Sequence, residues 1–173
     1  GLDHTSGVEI SENEPQISSE DPERSAMGQG THSYTNVQLS RYVAALANRG
    51  NVFELSLLDK LTDSDGNLIK DYTPAISSHD STWDAVQTGM RRVITDSSAK
   101  SIFSDLPVEV AGKTGTAQED KSRSNHAFFV SFAPYSHPEI AVTVNIPYGY
   151  SSSNAATAAK NIYRFYYGYT DLN

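Results

Sequence analysis

The chain has 173 residues, 38% of them hydrophobic, no cysteine, and a formal net charge of −8 at neutral pH. A chain of this length can bury a core without disulfide bonds or metal ions, and the absence of cysteine excludes disulfides and thiolate metal sites. The negative charge, the absence of a basic cluster and the lack of an apolar run of roughly 18 residues argue against nucleic-acid binding and against a membrane-spanning helix within this sequence.

The first 34 residues are rich in Gly, Pro, Ser and acidic residues, which predicts loop structure. They start without an initiator Met or a signal peptide, and we expect a chain cut from a longer protein. A helix is predicted over 35–48, with Thr35 or Asn36 as its cap and Arg49-Gly50 at its end. Its apolar face is expected to contain Val37, Tyr42, Val43, Ala44, Leu46 and Ala47.

Loose alternation of apolar residues over 51–61 predicts a strand. Asp65-Gly66 predicts a hairpin turn, and residues 67–72 the returning strand. A second helix is predicted from S-T-W-D at 81–84, which has the form of a capping box with Asp in place of Glu. Its apolar face is expected to contain Trp83, Val86, Met90 and Val93 or Ile94.

Three β-rich runs follow Pro107, over 108–118, 126–133 and 139–146. Because short polar links separate them, they predict an antiparallel meander. Residues 151–169 predict a closing helix, with an inward face of Ala155, Ala158, Ala159, Ile162 and Tyr163. Helices placed before and after an antiparallel sheet indicate the α+β class.

The sequence A-G-K-T-G-T-A at 111–117 carries the chemistry. Acyl transfer to a serine needs a positive charge near the nucleophile, donors for the developing oxyanion, and an anchor for the substrate carboxylate. Lys113 can supply the charge, the hydroxyls of Thr114 and Thr116 can donate to a carboxylate, and the Thr116 N–H can face an oxyanion. Gly115 leaves room for a substrate backbone that lies along the strand.

The same triad has a simpler interpretation, an edge strand whose lysine deters aggregation. On the triad alone the two interpretations are about equally weighted. In this composition about 0.03 K-T-G triplets are expected by chance. The triplet is therefore informative, but only the rest of the sequence can distinguish a substrate-binding strand from an edge strand with a protective lysine.

The order of short motifs along the chain resembles that of class B penicillin-binding proteins, over nearly the whole length. K-T-G is a signature of penicillin-binding proteins and of class A β-lactamases. The form M-G-Q-G is more similar to the elongation-type members than to the division-type ones. The other matching segments are A-M-G-Q-G at 26–30, N-V-Q-L-S at 36–40, A-A-L-A-N at 44–48, G-M-R-R-V at 89–93, H-A-F-F-V-S-F-A-P at 126–134 and P-E-I-A-V at 138–142.

The resemblance implies that residues 1–173 are the C-terminal portion of a transpeptidase domain with the serine β-lactamase/D,D-transpeptidase-like fold. Such enzymes cross-link peptidoglycan stem peptides through an acyl-serine intermediate, which β-lactams trap. Lys113 and Thr116 are then expected to be catalytic, and Thr114, Gly115 and Thr116 to bind substrate. No cofactor or metal is implied. The parent protein is expected at the outer face of the bacterial cytoplasmic membrane, held by an N-terminal anchor outside this sequence.

The family also needs an S-x-x-K motif, whose Ser attacks and whose Lys is the base, and an S-x-N motif. Ser97 to Lys100 matches the first, but about 0.8 such matches are expected by chance, and it lies too close to K-T-G. The S-x-N matches at Ser11 and Ser152 lie in a polar loop and after K-T-G. We therefore expect the nucleophile in a missing N-terminal portion and an inactive fragment. At the unpaired edge of its last strand we expect self-association, strand exchange or a loop that covers the edge.

Two alternatives remain open. A class D β-lactamase or β-lactam sensor domain would share the fold, although the G-Q-G loop with its helix is not expected there. A non-catalytic interaction module would lack S-x-x-K upstream. His126 opens the strand beside K-T-G and can edge the site, but a packed or solvated strand histidine is the more common case.

Overall fold

The computed structural model describes residues 1–18, 22–71, 81–118 and 122–169. Helices precede and follow an antiparallel sheet, so the predicted α+β class is confirmed. In chain order the described elements are α1 (Pro22–Ala26), α2 (Asn36–Ala47), β1 (Lys60–Thr62), β2 (Leu68–Asp71), α3 (Ser81–Asp96), α4 (Lys100–Phe103), β3 (Ala111–Ala117), β4 (His126–Ala133), β5 (Ile140–Ile146) and α5 (Ser152–Tyr166).

The central sheet has the order β3-β4-β5, and both strand pairs are antiparallel, as predicted. Lys113 lies opposite Val130, and Val130 lies opposite Thr143. Side chains alternate between the two faces of a strand. One face of the sheet therefore carries Lys113 and Gly115, and the other carries Gly112, Thr114 and Thr116.

The larger core lies between the sheet and the helix α5. Ala155, Ala156, Ala159 and Tyr163 of α5 are fully buried against β4 and β5. Small alanines let the helix approach the sheet closely, and Phe129 fills the space that remains. The hydroxyls of Tyr163 and Ser131 are hydrogen-bonded at 2.8 Å, and burial raises the pKa of Tyr163 above its ordinary value.

A smaller core lies on the opposite face, at the start of β3. Ala47 of α2 and Met90 of α3 pack there against Ala111 and Phe132. Thr35, one of the two predicted caps, caps α2, and it forms a complete capping box with Gln38 that was not predicted. The two helices thus fix the first residues of β3 and leave its later residues outside the core.

The N-terminal segment is held to α2 by buried polar side chains. Arg41, which is 1% exposed, donates to the backbone carbonyls of Thr5 at 2.6 Å and His4 at 3.0 Å. Glu12 accepts from the Ser6 N–H at 2.7 Å and from the Thr35 hydroxyl at 2.7 Å. Partial burial opposes ionisation of Glu12, but these hydrogen bonds prevail and lower its pKa.

Several predicted boundaries were wrong. The strand predicted over 51–61 shortens to β1, whose Leu61 is exposed, as is Leu68 of β2, while Phe53 and Leu55 are half-buried but lie outside any strand. The Gly66 turn is confirmed, with φ of 83°, while Tyr72 lies outside the described residues. Two short helices, α1 and α4, were missed because single turns carry little periodicity. The closing helix ends at Tyr166, because the Gly168 turn follows it.

Each of the three predicted apolar helix faces included one residue whose side chain is exposed. Tyr42, Val86 and Ile162 are 41%, 38% and 42% exposed. Polar or small neighbours are buried in their place. These buried residues are Gln38 and Arg41 in α2, Gln87 in α3 and Ala156 in α5. The cause is tertiary: Gln87 donates to the carbonyls of Leu46 and Ala47 at 2.9 Å, and these partners are remote in sequence.

Candidate active site

The K-T-G residues lie on the outermost strand of the central sheet. Among the described residues, β3 pairs with β4 and with no other strand. Its second edge therefore has no strand to satisfy its N–H and C=O groups, and an extended ligand can add there. Lys113 and Thr116 are exposed, and Thr114 and Gly115 are half-buried. The predicted site residues thus share one exposed stretch of backbone.

The side chains of the site do not all point the same way. Lys113 and Gly115 share the face of the sheet on which α2 and α3 lie, while Thr114 and Thr116 belong to the α5 face. The Lys113 ammonium lies along the strand and donates to the Thr114 carbonyl at 2.7 Å. The strand edge, where the two faces meet, is the place common to all four residues.

The start of β3 is fixed by contacts from α3. Arg91 donates to the Val110 carbonyl at 2.9 Å and to the Glu109 carboxylate at 2.8 Å. Gly112 is a necessary residue here, because a Cβ atom would lie 2.7 Å from the Phe129 ring and 2.8 Å from the Val130 carbonyl oxygen. At Gly115 the nearest contact of such an atom is Phe128 Cβ at 3.2 Å.

The serine motifs that match by chance have structural roles. The Ser97 hydroxyl donates to the Val93 carbonyl and accepts from the Ala99 N–H at 3.2 Å, so it caps the end of α3. Ser152 is the first residue of α5, and Asn154 donates to the Gly149 carbonyl at 2.8 Å. Ser11 is exposed. Ser97 is thus engaged in a local hydrogen-bond pair, and Ser152 begins the helix that follows β5.

Aromatic rings gather at the far end of β3, where the sequence predicted His126 but not Tyr148. His126, which lies opposite Ala117, has its ring 4.8 Å from that of Tyr148. Arg123 donates to the Tyr148 hydroxyl at 2.8 Å. His126 is thus a packed strand histidine, as the simpler interpretation held. The sequence signal for the cluster was Y-G-Y at 148–150, next to the end of β5.

Neither a metal cluster nor a membrane-crossing helix is found in the described ranges. In those residues there is no group of three or more His, Asp or Glu side chains suited to hold a metal ion. No helix among them is both long and apolar enough to cross a bilayer.

A sequence profile described as the penicillin-binding protein transpeptidase domain matches residues 1–164. This chain belongs to that family. The peptidoglycan D,D-transpeptidase MrdA of Haemophilus influenzae is 29% identical over 167 residues, which are 81% of this chain and 25% of that protein. Penicillin-binding protein 2A of Bacillus subtilis is 30% identical over 147 residues, which are 75% of this chain and 20% of that protein.

Solved structures of the family have the same fold. Penicillin-binding protein 2 of Pseudomonas aeruginosa, solved with WCK 5153, superposes with a TM-score of 0.76 at 27% identity over 96% of this chain and 41% of that one. Penicillin-binding protein 2B of Streptococcus pneumoniae superposes with a TM-score of 0.79 at 24% identity over 100% of this chain and 32% of that one. The resemblance to class B, elongation-type transpeptidase domains is confirmed. This chain spans 25% of the H. influenzae MrdA protein and 20% of the B. subtilis penicillin-binding protein 2A.

Proposed function

We propose that this chain supplies the substrate-binding strand of a peptidoglycan D,D-transpeptidase, which cross-links stem peptides through an acyl-serine intermediate and is trapped by β-lactams. The observation that carries the proposal is the position of K-T-G on an edge strand, exposed at Lys113 and Thr116 and anchored by buried residues at its start. An edge-strand lysine that only deters aggregation does not need the glycine and the two threonines beside it.

In this proposal a stem peptide adds to the free edge of β3 as an extra strand. The Lys113 ammonium stabilises the negative charge that develops when the serine hydroxyl attacks the peptide carbonyl. The Thr116 N–H donates to the resulting oxyanion. The hydroxyls of Thr114 and Thr116 reach the substrate carboxylate from the other face of the strand, and Gly115 leaves room for the substrate backbone.

The nucleophile and its base belong, in this proposal, to a part of the protein outside this sequence. Ser97 is unsuited because its hydroxyl is committed to the end of α3. Residues 1–173 are then the C-terminal portion of a transpeptidase domain, inactive alone, which needs no cofactor. The protein that carries it would act on stem peptides at the outer face of the cytoplasmic membrane, held by an anchor elsewhere in its chain.

The test is acylation by a fluorescent penicillin in the protein that carries this chain. Lys113→Ala is expected to slow acylation by a factor on the order of 100 or more, because the ammonium acts on transition-state charge. The thermal midpoint should stay within about 1 °C, since an exposed charge adds little to folding. Lys60→Ala, which removes another exposed strand lysine, is the matched control.

Four results would count against the proposal. Unchanged acylation in Lys113→Ala would remove this residue from the mechanism. Rapid release of the penicilloyl group would indicate a class D β-lactamase. A carrier protein that is not acylated and has no S-x-x-K motif would indicate an interaction module. For the isolated chain, a stable label mapped to Ser97 would show that the nucleophile lies within it.

The last strand of the sheet bears on the behaviour of the isolated chain. Among the described residues β5 pairs with β4 and with no further strand. Unpaired edges of this kind promote association between molecules. We therefore propose that a strand from elsewhere in the carrier protein covers β5, and that the isolated chain self-associates. A concentration-independent monomer in sedimentation velocity would contradict this.

A further inference from the structure

A shallow depression lies at the end of the central sheet, between the loop that precedes β4 and the loop that follows β5. The Tyr150 N–H donates to the Asn125 carbonyl at 3.0 Å and so joins the two loops. Hydroxyl groups, one amide, one guanidinium and one phenol ring line the depression, and among the lining residues that the structure describes none is acidic. These residues are Ser122, Arg123, Ser124, Asn125, Tyr150 and Ser151.

Two tyrosines beside this depression have strained backbones. Tyr148 and Tyr150 have φ of 54° and 67°, in the left-handed region that Gly and Asn adopt most easily. Packing of the side chain does not compensate for the backbone strain at Tyr150, because that side chain is 78% exposed. Strained residues that packing does not explain are concentrated at binding sites. The exposed ring of Tyr150 is therefore a candidate ligand contact.

The depression lies beyond the end of β3, next to the face of the sheet that carries Lys113 and Gly115. Ala117 lies opposite His126, and the His126 ring contacts that of Tyr148, which accepts from Arg123. In the proposed function the reacting carbonyl lies at the Thr116 N–H, one residue before Ala117. A ligand that runs from there along β3 and past Ala117 is therefore directed toward the depression.

We propose that this depression is a carbohydrate subsite, which binds an uncharged N-acetylated amino sugar of the glycan strand to which a stem peptide is attached. The inference rests on the proposed function. A sugar ring presents an apolar C–H face and a rim of neutral donors and acceptors. The open Tyr150 ring matches the first, and the Ser124 hydroxyl and the Asn125 amide match the second.

An acidic segment of the stem peptide fits the same walls less well. Within the described part of the lining Arg123 is the one charged residue, and its guanidinium donates to the Tyr148 hydroxyl. A carboxylate is bound most strongly by a guanidinium that offers two parallel N–H groups. Neutral groups dominate the remaining wall, which favours the sugar over the peptide.

The experiment titrates the carrier protein with the tetramer of N-acetylglucosamine, followed by isothermal calorimetry. We expect saturable binding that Tyr150→Ala weakens at least tenfold. Tyr150→Asn should weaken it equally while keeping or raising the thermal midpoint, because Asn tolerates a positive φ. Phe165→Ala is the matched control, since Phe165 is 79% exposed, and binding should not change.

Absence of saturable binding would overturn the inference, as would tetramer binding that survives Tyr150→Asn. Binding of a sugar-free stem peptide that is lost in Arg123→Ala, without binding of the tetramer, would assign the depression to the peptide. Tetramer binding needs no acylation, so the two proposals fail separately. A protein that binds the tetramer but is not acylated by penicillin would retain the subsite and lose the proposed enzymatic function.

Discussion

The two halves of β3 differ sharply although they belong to one seven-residue strand. Ala111 and Gly112 are buried, and Gly112 has no room for a side chain against Phe129 and the Val130 carbonyl. Lys113 and Thr116 are exposed, and Gly115 is limited only by Phe128 Cβ at 3.2 Å. The first glycine is thus required by packing, whereas nothing in the packing requires the second.

The difference in burial between the two halves of β3 shows how a rigid site can be built on a sheet edge. The core holds the strand by its first residues, and this leaves the next residues exposed but fixed in direction. Binding groups placed on such a supported strand are more precisely oriented than groups on a loop. Substitutions in the first half should therefore act on stability, and substitutions in the second half on binding and catalysis.

The largest effect on stability is expected for Gly112→Ala. Its new methyl group would lie 2.8 Å from a backbone oxygen that cannot move without breaking the β3–β4 register. Overpacking of this kind destabilises by about 1–3 kcal/mol. Urea denaturation of the variant would measure the loss, and a free energy of unfolding equal to that of the unsubstituted chain would contradict the packing role of Gly112.

An intermediate effect is expected for Tyr163→Phe, beneath the strand that supports β3. The variant loses the hydrogen bond to Ser131, which is buried, and should be less stable by about 1 kcal/mol. Tyr166→Phe is the control, because Tyr166 is 51% exposed and its change should have little effect on stability. Equal stability of the two variants would show that the buried hydroxyl pair does not support the sheet.

Tyr163 also predicts a pH dependence. Burial raises its pKa in the folded state above the ordinary value near 10, so it stays neutral at a pH where the unfolded chain ionises. Its contribution to stability is therefore complete below pH 10 and is lost as the pH rises further. The slope of unfolding free energy against pH above 10 should be smaller in Tyr163→Phe, and an unchanged slope would argue against this assignment.

The smallest effect on stability is expected for Gly115→Ala. Its methyl group meets only Phe128 Cβ at 3.2 Å, and the lower chain entropy of alanine offsets that contact, so stability should change by less than about 0.5 kcal/mol. Acylation of the carrier protein should slow about tenfold, because the methyl group lies where the substrate backbone approaches. A stability loss equal to that of Gly112→Ala would remove the contrast between the two glycines.

The sequence by itself determined the elements that have strong local signals. The three strands of the sheet, the capped start of α2 and the Gly66 turn follow from alternation, side-chain capping and a residue that adopts positive φ, all of which act within a few residues. The motif order also identified the family.

Only the tertiary structure decided which side chains are buried. Arg41 and Gln87 are buried because their partners are carbonyl groups some 40 residues away, and no local pattern reports such partners. The same holds for Gly112 and Gly115, which look alike in A-G-K-T-G-T-A. They differ because Phe129 and Ser131 press against the first, while only Phe128 limits the second. Packing between residues that are remote in sequence therefore makes Gly112 a structural requirement and leaves Gly115 available for the proposed site.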